Sequence, residues 1–196
     1  TIRKEHAKGG RGGGGIALRD ALDVTTNCPD ISTVAPYTST YASMSFEGNR
    51  ETIPGLGATA SFRDIFKVDV AEGRFITDLD ENMAFCVIGR KVRDMLARYG
   101  VADPVGREII FNDRFFTIIG VAEEVPMGGM RPYEINEGII IPITTAMRFP
   151  KRPEIQTMTA RIAPGGDRIT AQEQLIRFFK SRDRREEVLE AFSARG

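Results

Sequence analysis

Residues 84–123 read AFCVIGRKVRDMLARYGVADPVGREIIFNDRFFTIIGVAE, and this stretch decides the fold that we predict for the chain. The apolar run 86–88 has the length of a buried strand and stops at Gly89. After Gly89 the apolar residues recur at the spacing of one helix face: Val92, Met95, Leu96 and Tyr99. Gly100 stands where a helix commonly ends in a left-handed residue. The pattern therefore predicts a strand followed by a short amphipathic helix.

A turn and a hairpin follow this helix. In Asp103-Pro104-Val105-Gly106 the proline fixes φ and the glycine permits positive φ, so the segment predicts a turn. The apolar runs 109–111 and 115–121 flank Asn112-Asp113, a pair typical of tight hairpins. The whole stretch is thus predicted to fold as strand, helix and hairpin.

The same residues carry a resemblance to a known family. V-I-G at 87–89, D-P-V-G at 103–106 and F-T-I-I-G-V at 116–121 resemble the periplasmic core domain of MacB-type (macrolide-exporter-like) ABC transporter permeases. The flanking segments 73–75 and 141–142 agree in order and spacing, and the similarity runs from about residue 16 to the C-terminus. The resemblance implies a structural role for the residues of these motifs: Gly73, Arg74, Phe75, Gly89, Asp103, Pro104, Gly106, Gly120 and Pro142.

Composition restricts the partners. The 196 residues are 41% hydrophobic and 28% charged, which is ordinary for a globular protein. Lys+Arg and Asp+Glu each total 27, so the balance offers no electrostatic footprint for nucleic acid. No run of about 18 apolar residues is present, and the chain begins at Thr1 without a signal peptide. We expect it to be a piece of a longer protein.

The two ends of the chain predict a mixed body. Residues 16–24 favour a helix, and 31–46 and 50–59 favour two strands. Near the C-terminus, 156–162 favours a strand and 188–192 a last one. Between them Pro164-Gly165-Gly166-Asp167 should cap a helix whose apolar stripe is Gln172, Leu175, Ile176 and Phe179, with Ala171 and Phe178 at its margin.

We therefore predict an α+β fold in two parts. Residues 1–70 and 152–196 should form one mixed α/β subdomain, and residues 71–151 a β-rich subdomain inserted into it. In the family that the chain resembles, the first corresponds to a porter-like body and the second to a sabre-like insertion.

The segment 125–133 is predicted to be a loop, because it is apolar and yet rich in residues that break helices and strands. Its methionines, tyrosine and prolines suit an adaptable contact surface, and they are our candidates for docking a partner: Met127, Met130, Pro132 and Tyr133. The alternative is that these side chains pack onto the domain's own core.

The residue types needed for catalysis are scarce. His6 is the only histidine, and neither Cys28 nor Cys86 lies in a C-x-x-C pair, so we expect no zinc site. The P-loop pattern G-x-x-x-x-G-K-[ST] and the nucleophile pattern G-x-S-x-G are missing, and we predict no catalytic residue, metal or cofactor. Asp78 and Asp80 do not fit a calcium loop and are interpreted as a solvated acidic turn. The cysteines are either two free thiols or, in an oxidising compartment, a bridge.

The resemblance implies the function. It implies a non-catalytic periplasmic domain of an inner-membrane permease, which couples cytoplasmic ATP hydrolysis to substrate export or partner movement by mechanotransmission. The implied partners are an ABC ATPase subunit or domain, transmembrane helices on both sides of the chain, a second permease in a dimer, and a periplasmic adaptor or lipoprotein carrier.

Two other functions remain open. The chain could be the periplasmic domain of a lipoprotein-releasing permease, docking a lipoprotein carrier through residues 125–133. It could also be a stand-alone small-molecule-binding α/β domain that uses Gly10, Gly12 and Gly15, which satisfy G-x-G-x-x-G. The segment before these glycines is polar rather than a strand, which favours a flexible linker at residues 9–15.

Overall fold

The computed structural model describes residues 2–3, 15–129 and 131–182. The predicted strand at 188–192 and most of the glycine linker lie outside these residues. In chain order the elements are β1 (Ile2–Arg3), α1 (Leu18–Asn27), β2 (Ile31–Phe46), β3 (Asn49–Ala58), α2 (Phe62–Phe66), β4 (Val70–Gly73), a 3₁₀ turn (Asp78–Asp80), β5 (Phe85–Ile88), α3 (Arg90–Arg98), β6 (Glu108–Phe111), β7 (Arg114–Ala122), α4 (Glu134–Glu137), β8 (Ile139–Pro142), α5 (Ile143–Ala146), β9 (Thr157–Ile162) and α6 (Arg168–Arg182). None of the helices in these ranges is long and apolar enough to cross a membrane.

The chain divides into two compact units, and its two ends belong to the same one. Unit 1 is Thr1–Tyr37 with Glu154–Gly196, and unit 2 is Thr38–Pro153. The predicted boundaries are 70/71 and 151/152, so the observed first boundary lies much earlier in the chain and the second is two residues later. The reason is β2, whose residues 31–37 pair with β9 while residues 38–46 pair with β3. Strand β3 in turn pairs with β8, and both β3 and β8 belong to unit 2.

Unit 1 is a small antiparallel sheet with two helices. Its strands run in the order β1, β9, β2. Helices α1 and α6 pack together, and Arg182 on α6 forms ion pairs with Asp23 at 3.1 Å and Asp20 at 3.5 Å on α1. Helix α6 begins after Asp167, whose carboxylate accepts the Thr170 N–H at 2.9 Å. The predicted cap at this end of α6 is confirmed.

The buried stripe of α6 differs from the predicted one. The buried residues are Ala171, Leu175, Phe178 and Phe179, while Gln172 and Ile176 are only partly buried. Phe178 packs edge-on against Phe179, with ring centroids 5.2 Å apart. Compared with the predicted stripe, the buried face of α6 is thus shifted toward Ala171 and Phe178, because the rings of Phe178 and Phe179 are buried together.

Unit 2 is built on a larger mixed sheet. Its strands follow the order β2, β3, β8, β5, β7, β4, with β6 pairing both β2 and β7. The pairs β3–β8 and β5–β7 are parallel, and the others are antiparallel. Apolar side chains of α3 pack on this sheet in one cluster with Phe111, Phe116 and Phe149, whose ring centroids lie 6.2–6.5 Å apart. Helices and strands are thus mixed, and the α+β class is confirmed.

The stretch 84–123 folds as predicted. Strand β5 leads to α3, which buries Val92, Met95 and Leu96, and Gly100 adopts φ +89° directly after the helix ends. Strands β6 and β7 form the hairpin, in which Asn112 and Asp113 have φ values of 51° and 64°. Two successive residues with positive φ are the signature of a type I′ turn, whose twist matches that of the flanking strands.

Candidate functional site

The loop before α4 is anchored to that helix by one buried side chain. Asn136 accepts the Val125 N–H on Oδ1 at 2.8 Å and donates from Nδ2 to the Val125 carbonyl at 2.7 Å. This pair of bonds satisfies both backbone groups of Val125, so the loop starts from a fixed point although it has no regular structure. The predicted loop is confirmed, and α4 follows it.

The four docking candidates do not share one environment. Met127 is 74% exposed and Tyr133 is 50% exposed, whereas Pro132 is buried. Met130 lies outside the described residues. Pro132 is thus buried in the domain, while Met127 and Tyr133 face solvent. The role of these residues in docking stays a prediction.

Strand β2 brings a second set of residues to this surface, which the sequence did not indicate. Tyr41 is 65% exposed, and the Ser39 hydroxyl donates to the carboxylate of Glu134 on α4. Residues two apart in a strand share one face, so Ser39 and Tyr41 lie on the same side of the sheet. Glu134 is 4% exposed and forms no ion pair within the described residues.

The surroundings of Tyr133 raise the pKa of its phenol. Burial raises the pKa of its phenol, and the nearby groups of Glu134, Tyr41 and Glu137 raise that pKa further. Each of these groups carries or acquires negative charge, which disfavours the phenolate. The site is thus a surface of two tyrosines with carboxylates beside and beneath them.

The motif residue Arg74 forms an ion pair with the buried Asp80. Arg74 forms a two-pronged contact with Asp80, with Nη1 2.7 Å from Oδ2 and Nη2 3.1 Å from Oδ1. Asp80 also accepts the Thr77 N–H at 2.8 Å, and the Arg74 guanidinium lies 5.8 Å from the centroid of the Phe85 ring. The bonds from Arg74 hold the pKa of the Asp80 carboxyl below its ordinary value. Asp80 is buried, so our interpretation of both aspartates as solvated was wrong for Asp80.

The motif glycines Gly73 and Gly120 face each other across the pair β4–β7. A methyl group on Gly73 would overlap the carbonyl oxygen of Ile119, and one on Gly120 would overlap that of Arg74. The close approach of the two backbones therefore requires glycine at both positions. Gly73 is the last residue of β4 and adopts φ +69°.

The remaining motif residues lie in turns and in the core of unit 2. Phe75, Gly89, Pro104 and Pro142 are buried, and Asp103 is exposed. Gly106 adopts φ +93° in the turn before β6 and donates its N–H to the Ile118 carbonyl at 2.7 Å. The motif residues therefore have structural positions, in the turns and in the core of unit 2.

Little in the described residues suggests bond-making chemistry. No three His, Cys, Asp or Glu side chains are grouped there so as to hold a metal ion. Cys28 in unit 1 and Cys86 in unit 2 are free and buried, and burial raises the pKa of both thiols. A thiol held in its protonated form is a poor nucleophile.

Comparison with known proteins identifies the family. The model of the MacB-like periplasmic core domain matches residues 1–178. The chain belongs to this family. The resemblance found in the sequence is thereby confirmed, and the chain is a periplasmic core domain of a MacB-like ABC transporter permease.

Curated relatives of this MacB-like domain are much longer. The pyoverdine export ATP-binding/permease protein PvdT of Pseudomonas fluorescens (strain Pf0-1) is 33% identical over 110 residues, which cover 55% of this chain and 16% of PvdT. The macrolide export ATP-binding/permease protein MacB of Aggregatibacter actinomycetemcomitans is 24% identical over 155 residues, which cover 77% of this chain and 23% of that protein. The chain thus spans a quarter or less of these relatives.

Solved structures share the fold of the MacB-like domain. The periplasmic region of MacB from Actinobacillus actinomycetemcomitans superposes with a TM-score of 0.74 at 21% identity, covering 92% of this chain and 81% of that one. The extracellular domain of the transporter YknZ from Gram-positive bacteria gives a TM-score of 0.75 at 14% identity, covering 93% and 90%.

Proposed function

We propose that this periplasmic core domain is a non-catalytic element that couples cytoplasmic ATP hydrolysis to substrate export or to movement of a periplasmic partner. The observation that carries the proposal is the family match over residues 1–178. Relatives named as export ATP-binding/permease proteins support an ATPase, transmembrane helices and an export role in the parent protein. The domain itself needs no cofactor for this role.

The packing of unit 2 supports a mechanical role. Its apolar cluster runs without interruption through side chains of β2, β5, α3, β6, β7 and β8. Interiors of this kind are close-packed and have low compressibility, so a displacement applied at one face is transmitted to the others. Transport by coupled movement needs a body that shifts without deforming, and a close-packed core suits that role.

The test measures distances in the full-length transporter during ATP turnover. Spin labels would be placed on Leu79→Cys or on Phe115→Cys, two exposed positions of unit 2, while the native Cys28 and Cys86 are buried. We expect the distance between labels on the two subunits of the dimer to change when ATP is trapped with vanadate. The doubly labelled unit 2 within one subunit is the control, and its internal distance should stay constant. Unchanged distances between subunits would contradict the proposal.

A second function is favoured by the exposure of Met127 and Tyr133. The thioether of Met127 and the ring of Tyr133 lie on a loop that Asn136 anchors, and such exposed apolar groups suit docking of a periplasmic adaptor or a lipoprotein carrier. The combined replacements Met127→Ser, Met130→Ser and Tyr133→Ser should abolish cross-linking to that protein in cells. Phe115→Ser, which removes another exposed ring, is the matched control and should leave cross-linking intact. Cross-linking that survives the triple replacement would exclude the loop.

A further inference from the structure

Glu134 is a buried acidic residue of unit 2 whose carboxylate has few partners. Its one side-chain hydrogen bond within the described residues comes from the Ser39 hydroxyl. A carboxylate offers about four acceptor positions, and burial without a counter-charge is unfavourable. Ser39 is itself exposed, so the carboxylate lies just beneath the solvent boundary.

Three cations on the elements and the loop that adjoin α4 have other partners. Lys91 forms an ion pair with Glu137 at 3.3 Å, and Arg50 donates to the Ser43 hydroxyl at 2.7 Å. Arg131 donates to the Phe66 carbonyl at 2.9 Å. None of these three bonds goes to Glu134, and its carboxylate has no cationic partner among the residues that the structure describes.

Two exposed tyrosines stand beside this carboxylate. Tyr133 directly precedes Glu134, and Tyr41 lies two residues after Ser39 on the same face of β2. The Ser39–Glu134 hydrogen bond and the shared face of β2 bring Tyr41 to this part of the surface, and Glu134 and Tyr41 also raise the pKa of Tyr133. Aromatic faces attract cations, and an adjacent carboxylate adds an ionic hydrogen bond.

We propose that Tyr41, Tyr133, Ser39 and Glu134 form a socket for an arginine side chain of a partner protein. The guanidinium is planar, stacks on aromatic rings and presents paired N–H groups to a carboxylate, and it is more weakly hydrated than an ammonium group. A buried carboxylate beside two exposed tyrosines therefore favours arginine over lysine. The inference rests on contacts within unit 2 and not on the mechanical coupling proposed above, so the two can fail separately.

The probe is a blocked arginine, N-acetylarginine methylamide, titrated into the 196-residue chain and followed by amide chemical shifts. We expect saturable shifts centred on Tyr41, Tyr133 and Glu134. The citrulline analogue has the same shape without the charge, and it should bind at least tenfold more weakly. The blocked lysine should also bind more weakly than the arginine. Equal binding of citrulline would overturn the socket, and equal binding of lysine would overturn the assignment to arginine.

Matched variants locate the binding. Glu134→Gln should weaken the arginine at least tenfold, whereas Glu108→Gln, which neutralises an exposed carboxylate on β6, should leave it unchanged. Tyr41→Leu and Tyr133→Leu should each weaken it several-fold, and Phe115→Leu should not. The tyrosines are exposed, so these variants remain informative even if Glu134→Gln fails to fold. Undiminished binding in both tyrosine variants would overturn the proposal.

Discussion

At the scale of single residues, the ion pair of Arg74 with Asp80 makes the stability of unit 2 depend on pH. Because the folded state lowers the pKa of Asp80, the stabilisation is fully present above the ordinary carboxyl value near pH ~4. It is lost as the pH falls through the lowered value. Half of the Arg74 side chain is exposed, so solvent screening limits the gain, and we expect Asp80→Asn to cost about 2 kcal/mol at neutral pH.

Urea unfolding at several pH values checks this expectation. The difference in unfolding free energy between the wild type and Asp80→Asn should be largest at neutral pH and should shrink below pH ~4. Asp78→Asn, at an exposed position of the same turn, should change stability by less than about 0.5 kcal/mol. A difference that persists undiminished into acid would show that Asp80 acts through packing rather than charge.

The facing glycines give a second prediction at this scale. A methyl group at position 120 would overlap the carbonyl oxygen of Arg74, directly after β4, so Gly120→Ala should cost more than about 3 kcal/mol or prevent folding. Gly106 is a matched glycine at which positive φ is the sole obstacle, since nothing lies within 4 Å of an added Cβ. Gly106→Ala should therefore cost only about 1–2 kcal/mol. Equal costs, measured by thermal unfolding, would refute the steric account of Gly120.

Thr38 offers a change that should stabilise the protein. Its hydroxyl is buried and has no hydrogen-bond partner within the described residues. An unsatisfied buried hydroxyl costs about 1–3 kcal/mol, and valine keeps the branched shape without it. Thr38→Val should raise the unfolding free energy by about 1 kcal/mol, as measured in urea. Thr38→Ser, which retains the hydroxyl and loses the methyl group, should lower it.

At the scale of elements, substitutions in helix α6 test which of its residues form the buried face. The sequence pattern favours Ile176 as a core residue and Phe178 as marginal, whereas Phe178 is buried beneath Arg182, whose guanidinium lies 4.9 Å from its ring centroid. Phe178→Ala should cost about 3 kcal/mol, and Ile176→Ala about 1 kcal/mol or less, in urea unfolding. The reverse order would restore the stripe predicted from periodicity.

The elements that sequence predicted well are those whose signals are local. Helix α3 and the β6–β7 hairpin are specified by apolar spacing and turn residues within about ten positions of each other. The hydrogen bond of Ser39 to Glu134 joins residues 95 apart, and no local pattern marks either one. The pairing of Asp80 rather than Asp78 with Arg74 depends on how one 3₁₀ turn is capped, which composition does not specify. The socket could therefore not be predicted, while the loop beside it could.

At the scale of the whole molecule, β2 explains why the unit boundary differs from the predicted one. The strand is continuous over 16 residues, but its partner changes from β9 to β3 after Tyr37. Thr, Ser and Tyr occur in both halves, so the sequence carries no mark of this change. Order along the chain predicted that the two ends share a unit, and only the pairing shows where that unit stops.

Removal of the C-terminal segment should separate the two units in their stability. A chain that ends at Pro153 lacks β9 and α6, so residues 31–37 of β2 lose their partner strand and the α1 residues Ala21 and Val24 lose their packing. The sheet and core of unit 2 lie within Thr38–Pro153 and keep their pairings. Hydrogen exchange should show that amides of unit 1 lose protection while those of β5, β7 and α3 retain it.

A point variant separates this expectation from a general effect of truncation. Leu175→Asp places a charge in the core of unit 1 while the chain stays complete, and it should reproduce the same local loss of protection. Met95→Asp introduces the same charge into the apolar cluster of unit 2 and should unprotect β5 and β7 instead. If either substitution unprotects both units together, the chain unfolds as one cooperative block. The two units would then be compact in geometry but not independently stable, because a unit that unfolds alone must be stabilised by its own core.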